Sequence, residues 1–328
     1  MANINVKYLG LDLKSPIIVG SCGLTNSIEN LIAIEKNGAG AVVLKSIFEE
    51  QIMHEANKDI TAHGDEFIYT EAIDYIKNYT QMHQLDEYIK LVKEAKKALT
   101  IPVIASINCG SAGEWVNFAK EIQAAGANAI ELNIFILPTD VNISSEAYEN
   151  QYFKILESIK KVVTIPIAIK TSVYFSSFAK MMVKLSWDGA NGLVLFNRFY
   201  SPDIDIYTMK MASSNVYSRN EESGLPLRWI GILTDKVKCD LCASTGIHDG
   251  ATVVKQLLAG ASAVQIASVL YKNGFEYIQE MNSDILKWMN EHNYKSIDDF
   301  KGKMSYSKTE NPAAYQRIQF MKYFSGIE

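Results

Sequence analysis

Cys239-Asp-Leu-Cys-Ala-Ser-Thr-Gly-Ile247, followed by Ala263-Val-Gln-Ile-Ala-Ser-Val-Leu270, reads as strand, small-residue turn, helix, strand, small-residue turn, helix. Turns at Ser244-Thr245-Gly246 and Ala267-Ser268 would set backbone N–H groups, unobstructed by bulky side chains, before two helix N-termini. Such a place attracts a phosphate group. In a parallel eight-stranded barrel it lies in the loops after strands 7 and 8, at the C-terminal face. Six strands must then precede it.

Short apolar runs supply them: 16–19, 41–45, 102–108, 129–133, 166–170 and 192–197, ahead of 238–244 and 263–267. Several are nearly continuous in Val, Ile and Ala, as strands buried on both faces should be. Helical stretches are expected at 27–37, 86–98, 112–125, 147–162, 176–185, 248–259 and 274–290. Asn37-Gly-Ala-Gly, Ala125-Gly-Ala-Asn, Asp188-Gly-Ala-Asn and Ala259-Gly-Ala-Ser each stop a helix just before a strand. Ala98-Leu-Thr-Ile-Pro-Val-Ile-Ala-Ser and Val162-Val-Thr-Ile-Pro-Ile-Ala-Ile-Lys repeat one helix-to-strand passage, with Pro opening the strand. The expected fold is an α/β (β/α)8 TIM barrel forming a single domain over 1–328, with long loops at 49–85 and 198–237.

Composition narrows the function. The 328 residues carry 32 Lys and Arg against 37 Asp and Glu, so no basic field invites nucleic acid. The start, Met-Ala-Asn-Ile-Asn-Val-Lys, lacks a secretory pattern and no apolar run reaches membrane-spanning length, so a cytoplasmic protein is expected. Four cysteines suit a reducing compartment. Cys239 and Cys242 stand three apart in a predicted strand and so face opposite ways. His54, His63, His83, His248 and His292 lack ligand spacing, and no metal site is expected.

The C-terminal ends of the strands read Gly20-Ser21, Lys45, Asn108, Asn133, Lys170, Asn197, Thr245-Gly246 and Ala267-Ser268. Strand ends leave the core, so some polar residues belong there in any barrel. Amides that both donate and accept, with two cations beside a phosphate site, form a more particular set.

Ser15-Pro-Ile-Ile-Val-Gly-Ser-Cys-Gly, Val42-Val-Leu-Lys-Ser, Glu131-Leu-Asn, Ile169-Lys-Thr, Phe196-Asn, Ser244-Thr-Gly-Ile and Val264-Gln-Ile-Ala-Ser-Val-Leu resemble, in order and spacing, the FMN-binding dihydroorotate dehydrogenases, most of all the soluble class 1 enzymes. The stretch from Met289 to Lys303 is similar to that family's C-terminal helix and turn, and the likeness covers most of 5–305. The resemblance implies non-covalent FMN, with Gly20, Ser21 and Lys45 along the flavin ring and Asn108 near its edge. Asn133 and Asn197 would face ring and substrate. Lys170 would stand by N1 and O2, where a fixed cation stabilises the anionic reduced flavin. Thr245, Gly246, Ala267 and Ser268 would hold the phosphate, helped by Ser223 and Gly224. The implied reaction is dihydroorotate to orotate in pyrimidine biosynthesis, with hydride passing to flavin N5.

The family's base is a Cys in Asn-Leu-Ser-Cys-Pro-Asn after strand 4. This chain has Asn133-Ile-Phe-Ile-Leu-Pro138, which puts Ile136 at the base position and Pro138 at a substrate amide. The family's Asn-Ser-Met-Gly-Leu-Pro-Asn corresponds to Ile76-Lys-Asn-Tyr-Thr-Gln-Met-His83. Of the four substrate amides only Asn133 and Asn197 have counterparts. Exchanging hydrogen-bonding groups for apolar ones costs a matched substrate a factor of about 10⁴ or more. Thr139, Ser144 and Ser145 are the foremost stand-in bases, with Tyr79, His83 and Cys109 behind them; none has an activating partner in sequence. Three alternatives stand beside the dehydrogenase: a flavin oxidoreductase on another small substrate, a flavin-binding protein without turnover, and a barrel lyase using Lys170 as a Schiff base. A homodimer is compatible with each.

Overall fold

The computed structural model describes residues 2–48, 70–108, 112–199, 201–213 and 216–317, with the side chains of 48, 70–83, 112, 114 and 213 left aside. Eight parallel strands form the barrel: β1 (Ile17–Val19), β2 (Ala41–Val43), β3 (Val103–Asn108), β4 (Ala129–Asn133), β5 (Ile167–Thr171), β6 (Gly192–Leu195), β7 (Asp240–Ser244) and β8 (Ala263–Ile266). They pair in the order β2-β1-β8-β7-β6-β5-β4-β3, and β2 closes onto β3 through Val42↔Val103 and Val43↔Ile104. The apolar runs are buried on both faces because helices cover the outside and side chains fill the inside.

The longer helices are α1 (Ile28–Lys36), α2 (Thr70–Ala98), α3 (Ala112–Ala124), α4 (Ser145–Lys160), α5 (Phe178–Trp187), α6 (Gly224–Leu233), α7 (Gly250–Ala259) and α8 (Tyr277–Glu291). Gly38, Gly126, Gly189 and Gly260 all have positive φ, which is what the Gly-Ala turns needed in order to end a helix beside the next strand. The repeated Thr-Ile-Pro passages have a common fastening. Glu35 Oε1 accepts from the N–H groups of Thr100 and Ile101, and Gln123 Oε1 from those of Thr164 and Ile165. One strand further on, Asn128 Oδ1 takes the Val103 N–H and Asn191 Oδ1 the Ile167 N–H. Each passage thus finds acceptors for donors that the preceding helix end and the Pro leave open.

Three features differ from the expectations. Helix α2 begins at Thr70, so the segment read as a loop over 49–85 is helical in its C-terminal part; 49–69 lies outside the described residues. Ile73, Ile76 and Met82 recur near helical spacing, but Asn78, Thr80 and His83 among them are weak helix formers. The 198–237 connection contains a hairpin, Pro202–Asp205 with Lys210–Ser213, and then α6. Gly224, Pro226 and Gly231 had masked that helix; Pro226 lies in its first turn, where its missing N–H costs nothing. Finally, a hairpin of Val6–Tyr8 and Leu11–Leu13 covers the N-terminal mouth. There Leu9 N–H donates to Asp240 Oδ2, and a Cβ on Gly192 would come within 2.5 Å of the Leu9 side chain. Three-residue strands are too short to show as periodicity.

Candidate active site

The strand ends surround a cavity of about 460 Å³, within the roughly 300–1,000 Å³ range of small-molecule and cofactor sites. Gly20 and Ser21 after β1, Lys45 after β2, Asn133 on β4, Lys170 on β5, Asn197 after β6, Thr245 and Gly246 after β7, and Ala267 and Ser268 after β8 all line it. They meet because parallel strands end together at one face.

The turn after β7 is unusual. Thr245 and Gly246 both occupy the left-handed region, at φ 79° and 77°. A threonine there is uncommon, and its hydroxyl donates to Phe196 O at 3.2 Å, tying the turn to the end of β6. A Cβ on Gly246 would fall 2.2 Å from the Ser223 backbone nitrogen, so the position admits only glycine. After β8 a short helix, Ser268–Asn273, begins at the cavity wall. The expectation of two helix N-termini at this place is corrected. Helix α7 starts at Gly250, where Asp249 already caps it by accepting from Thr252 N–H at 2.6 Å. Ser223 and Gly224 do not line the cavity; the Ser223 backbone packs against Gly246, and the Ser223 hydroxyl donates to Asn220 O.

Elsewhere on the wall, Asn133 Oδ1 and Asn197 Nδ2 are buried and make no hydrogen bond to the described residues. An orphaned acceptor and an orphaned donor in one cavity suit a flat heterocycle that presents both N–H and C=O groups. Lys170 Nζ donates to Gln265 Oε1 at 2.9 Å and lies 3.8 Å from Glu131 Oε1. A hydroxyl chain supports the β1 and β2 ends: Ser21 Oγ lies 3.0 Å from Ser46 Oγ, which lies 2.6 Å from Ser106 Oγ. Where pairing of β2 with β3 lapses before Ile47, the Tyr88 hydroxyl donates to Ser106 O and accepts from Ser106 N–H, at 2.9 and 2.8 Å. Burial pushes the Tyr88 hydroxyl well above its ordinary range, so it stays protonated.

Other expected site residues are not gathered in. Asn108 ends β3 without lining the cavity. Ile136, Pro138 and Ser145 line a separate small pocket with Tyr152 and Tyr174, while Phe135 takes the place on the main cavity wall. Phe135 stacks on Phe199 at 4.1 Å, and Tyr174 meets Phe199 edge-on at 4.7 Å. Thr139 and Ser144 are exposed, and Ser144 caps α4 by accepting from Ala147 N–H. Cys109, and the side chains of Tyr79 and His83, lie outside the described residues.

Sequence reasoning passed over Cys22, Ser46, Phe135, Arg198, Ser218 and Gln265, all on the cavity wall. Arg198 pairs with Glu222, Nε to Oε2 at 2.9 Å, which fastens the long loop after β6. Ser218 Oγ lies 3.0 Å from His248 Nε2. Gln265 was visible as a polar residue inside an apolar strand, a signal of a satisfied interior contact. Loop residues such as Ser218 carry no such signal.

These residues fit FMN. The orphaned amides and two cations answer a polar ring, and the glycine-restricted turn beside Ser268 leaves room for a phosphate next to backbone N–H groups. Among the described residues no helix is long and apolar enough to cross a membrane. Residues 3–289 match the family model for dihydroorotate dehydrogenase. The chain is 27% identical to a dihydroorotate dehydrogenase B (NAD(+)) catalytic subunit of Thermoplasma volcanium, over 92% of this chain and 98% of that protein. It is 26% identical to the subunit of the same name from Pyrococcus furiosus, over the same shares, and 25% identical to that from Methanocaldococcus jannaschii, over 88% and 94%.

Proposed function

The chain belongs to the dihydroorotate dehydrogenase family, and from that premise we propose that it is an FMN-dependent oxidoreductase acting on a CH–CH group of a small cyclic substrate. The observation that carries this reading is the pair of buried amide atoms without a partner among the described residues, Asn133 Oδ1 and Asn197 Nδ2, in one cavity with Lys45 and Lys170. Bound FMN would supply the hydride acceptor. Asn133 and Asn197 orient ring and substrate, Lys170 places a fixed positive charge on the cavity floor, and Gly20 and Ser21 let the ring approach the backbone. Thr245, Gly246, Ala267 and Ser268 hold the phosphate, with Ser223 supporting the turn and Lys45 beside the ring. We take 1–328 as one barrel domain, working in the cytoplasm.

Dihydroorotate itself is the substrate we propose first. Phe135 on the cavity wall, with Ile136 turned away from it, favours a second reading, in which a flat and less polar compound takes its place. The Schiff-base lyase has less support, since the Lys170 Nζ is held by Gln265 and lies beside a carboxylate rather than standing free in the cavity. An absorbance spectrum of the purified protein, before and after anaerobic addition of dihydroorotate, separates these. A flavin spectrum that bleaches supports the first reading. A flavin spectrum that persists until dithionite is added moves the second reading, or binding without turnover, to the front. Failure to take up FMN overturns the proposal.

A further inference from the structure

A hydrogen-bonded crossbar spans the barrel beneath the cavity. Gln265 on β8 reaches the opposite wall, where its Nε2 donates to Glu131 Oε2 on β4, while its Oε1 accepts from Lys170 Nζ on β5 at 2.9 Å. Glu131 is 1% exposed and Gln265 3% exposed. Glu131 Oε1 makes no hydrogen bond to the described residues, and the Lys170 ammonium stands 3.8 Å from it. Tyr8, Tyr88 and Cys242 also feel this carboxylate. Burial, with the Glu131 charge adding to it, pushes all three upward, so they remain neutral. Lys170 is therefore the cation that answers a carboxylate too costly to bury alone.

The order of contacts fixes a direction. An ionised carboxylate only accepts, so Glu131 must face the NH₂ of Gln265, and the carbonyl end of that amide must then face Lys170, which only donates. We propose that Glu131 and Gln265 are positioning residues: Glu131 sets the orientation of the Gln265 amide, Gln265 holds the Lys170 ammonium at the cavity floor, and the buried carboxylate offsets part of its charge. Resting on the FMN reading above, this offset sets the reduction potential of the bound flavin. A buried negative charge near the ring disfavours the added electrons, and Lys170 favours them.

Two variants have opposite signs. In Glu131→Gln the offset is lost while the shape is kept. Lys170 also loses the charge that draws its side chain inward, so it is freer to meet a reagent in the cavity. Gln265→Leu cuts the crossbar and lets Lys170 turn toward Glu131. Acetic anhydride labelling of Lys170 without FMN, read by mass spectrometry against Lys45 in the same cavity, should rise about tenfold in Glu131→Gln, since a unit charge at this range in an effective dielectric of about 20 exceeds that factor. In Gln265→Leu it should fall. With FMN bound, the preference for reduced over oxidised flavin should rise about tenfold in Glu131→Gln, a potential about 30 mV more positive for a two-electron couple, and fall in Gln265→Leu. Changes of the same sign in both variants, or none in either, overturn the proposal, and one folded variant suffices for its own sign. If wild type takes up no FMN, the proposed function falls, and the labelling ratio alone decides the positioning role.

Discussion

Asn133 and Lys170 are register partners on β4 and β5, so an unpartnered amide oxygen and an ammonium stand side by side on the cavity wall. Parallel pairing makes that neighbourhood obligatory: a one-residue slip of either strand would turn its side chain into the helical layer. The wall therefore offers an acceptor and a cation at a fixed spacing.

Replacing Asn197 by Ala should weaken FMN binding about tenfold, because a group on the ring that met the Nδ2 donor would be left buried and unpaired. Asn133→Ala should do the same. Quenching of flavin fluorescence on titration of the flavin-free protein reads both; unchanged affinity would remove the amide pair from the ring.

Gly246→Ala should cost stability and flavin together. Its Cβ would collide with the Ser223 backbone, and its φ of 77° strains any side chain, at about 1–3 kcal/mol for the strain alone. Urea denaturation monitors the first effect and the flavin content of the purified protein the second. A variant of wild-type stability that still purifies yellow would place the phosphate elsewhere.

Dihydroorotate should reduce the bound flavin slowly, since no described group on the wall after β4 can take a proton. Phe135, not Ile136, faces the cavity. Stopped-flow bleaching should thus respond to Phe135→Cys, where a general base contributes a factor of about 10²–10⁴, and little to Ile136→Cys. A faster Ile136→Cys with an unchanged Phe135→Cys would contradict this geometry.

Tyr88→Phe should destabilise the barrel by about 1–3 kcal/mol, the penalty for leaving the Ser106 N–H and C=O buried without a partner. Equilibrium unfolding measures it.

Burial raises the Cys22 thiol above the ordinary range, with Lys170 opposing the shift in part. A raised value lowers the thiolate fraction at any given pH. Alkylation of Cys22 by iodoacetamide should then rise with pH along a curve displaced to the alkaline side of a free cysteine, and FMN should slow it, since Cys22 lines the cavity. Labelling at the rate of a free thiol at pH 8 would contradict the burial.

What the sequence determined was the periodic part of the molecule. Strands covered on both faces must be continuously apolar, and helices that turn straight into them must end in a residue free to take positive φ, so the eight runs and the Gly-Ala turns were legible one segment at a time. Parallel strands end at one face, and therefore Lys45, Asn133, Lys170 and Asn197 could be assigned to one mouth from position alone. The tertiary structure decided contacts between distant residues and the aim of side chains within loops. Asn108 ends a strand and yet misses the cavity, Asp249 claims the α7 terminus, and Phe135 rather than its neighbour Ile136 turns inward. The Gln265–Glu131 crossbar joins residues 134 apart. No local pattern encodes it, because its contacts answer the cost of a buried carboxylate that only the closed barrel removes from water.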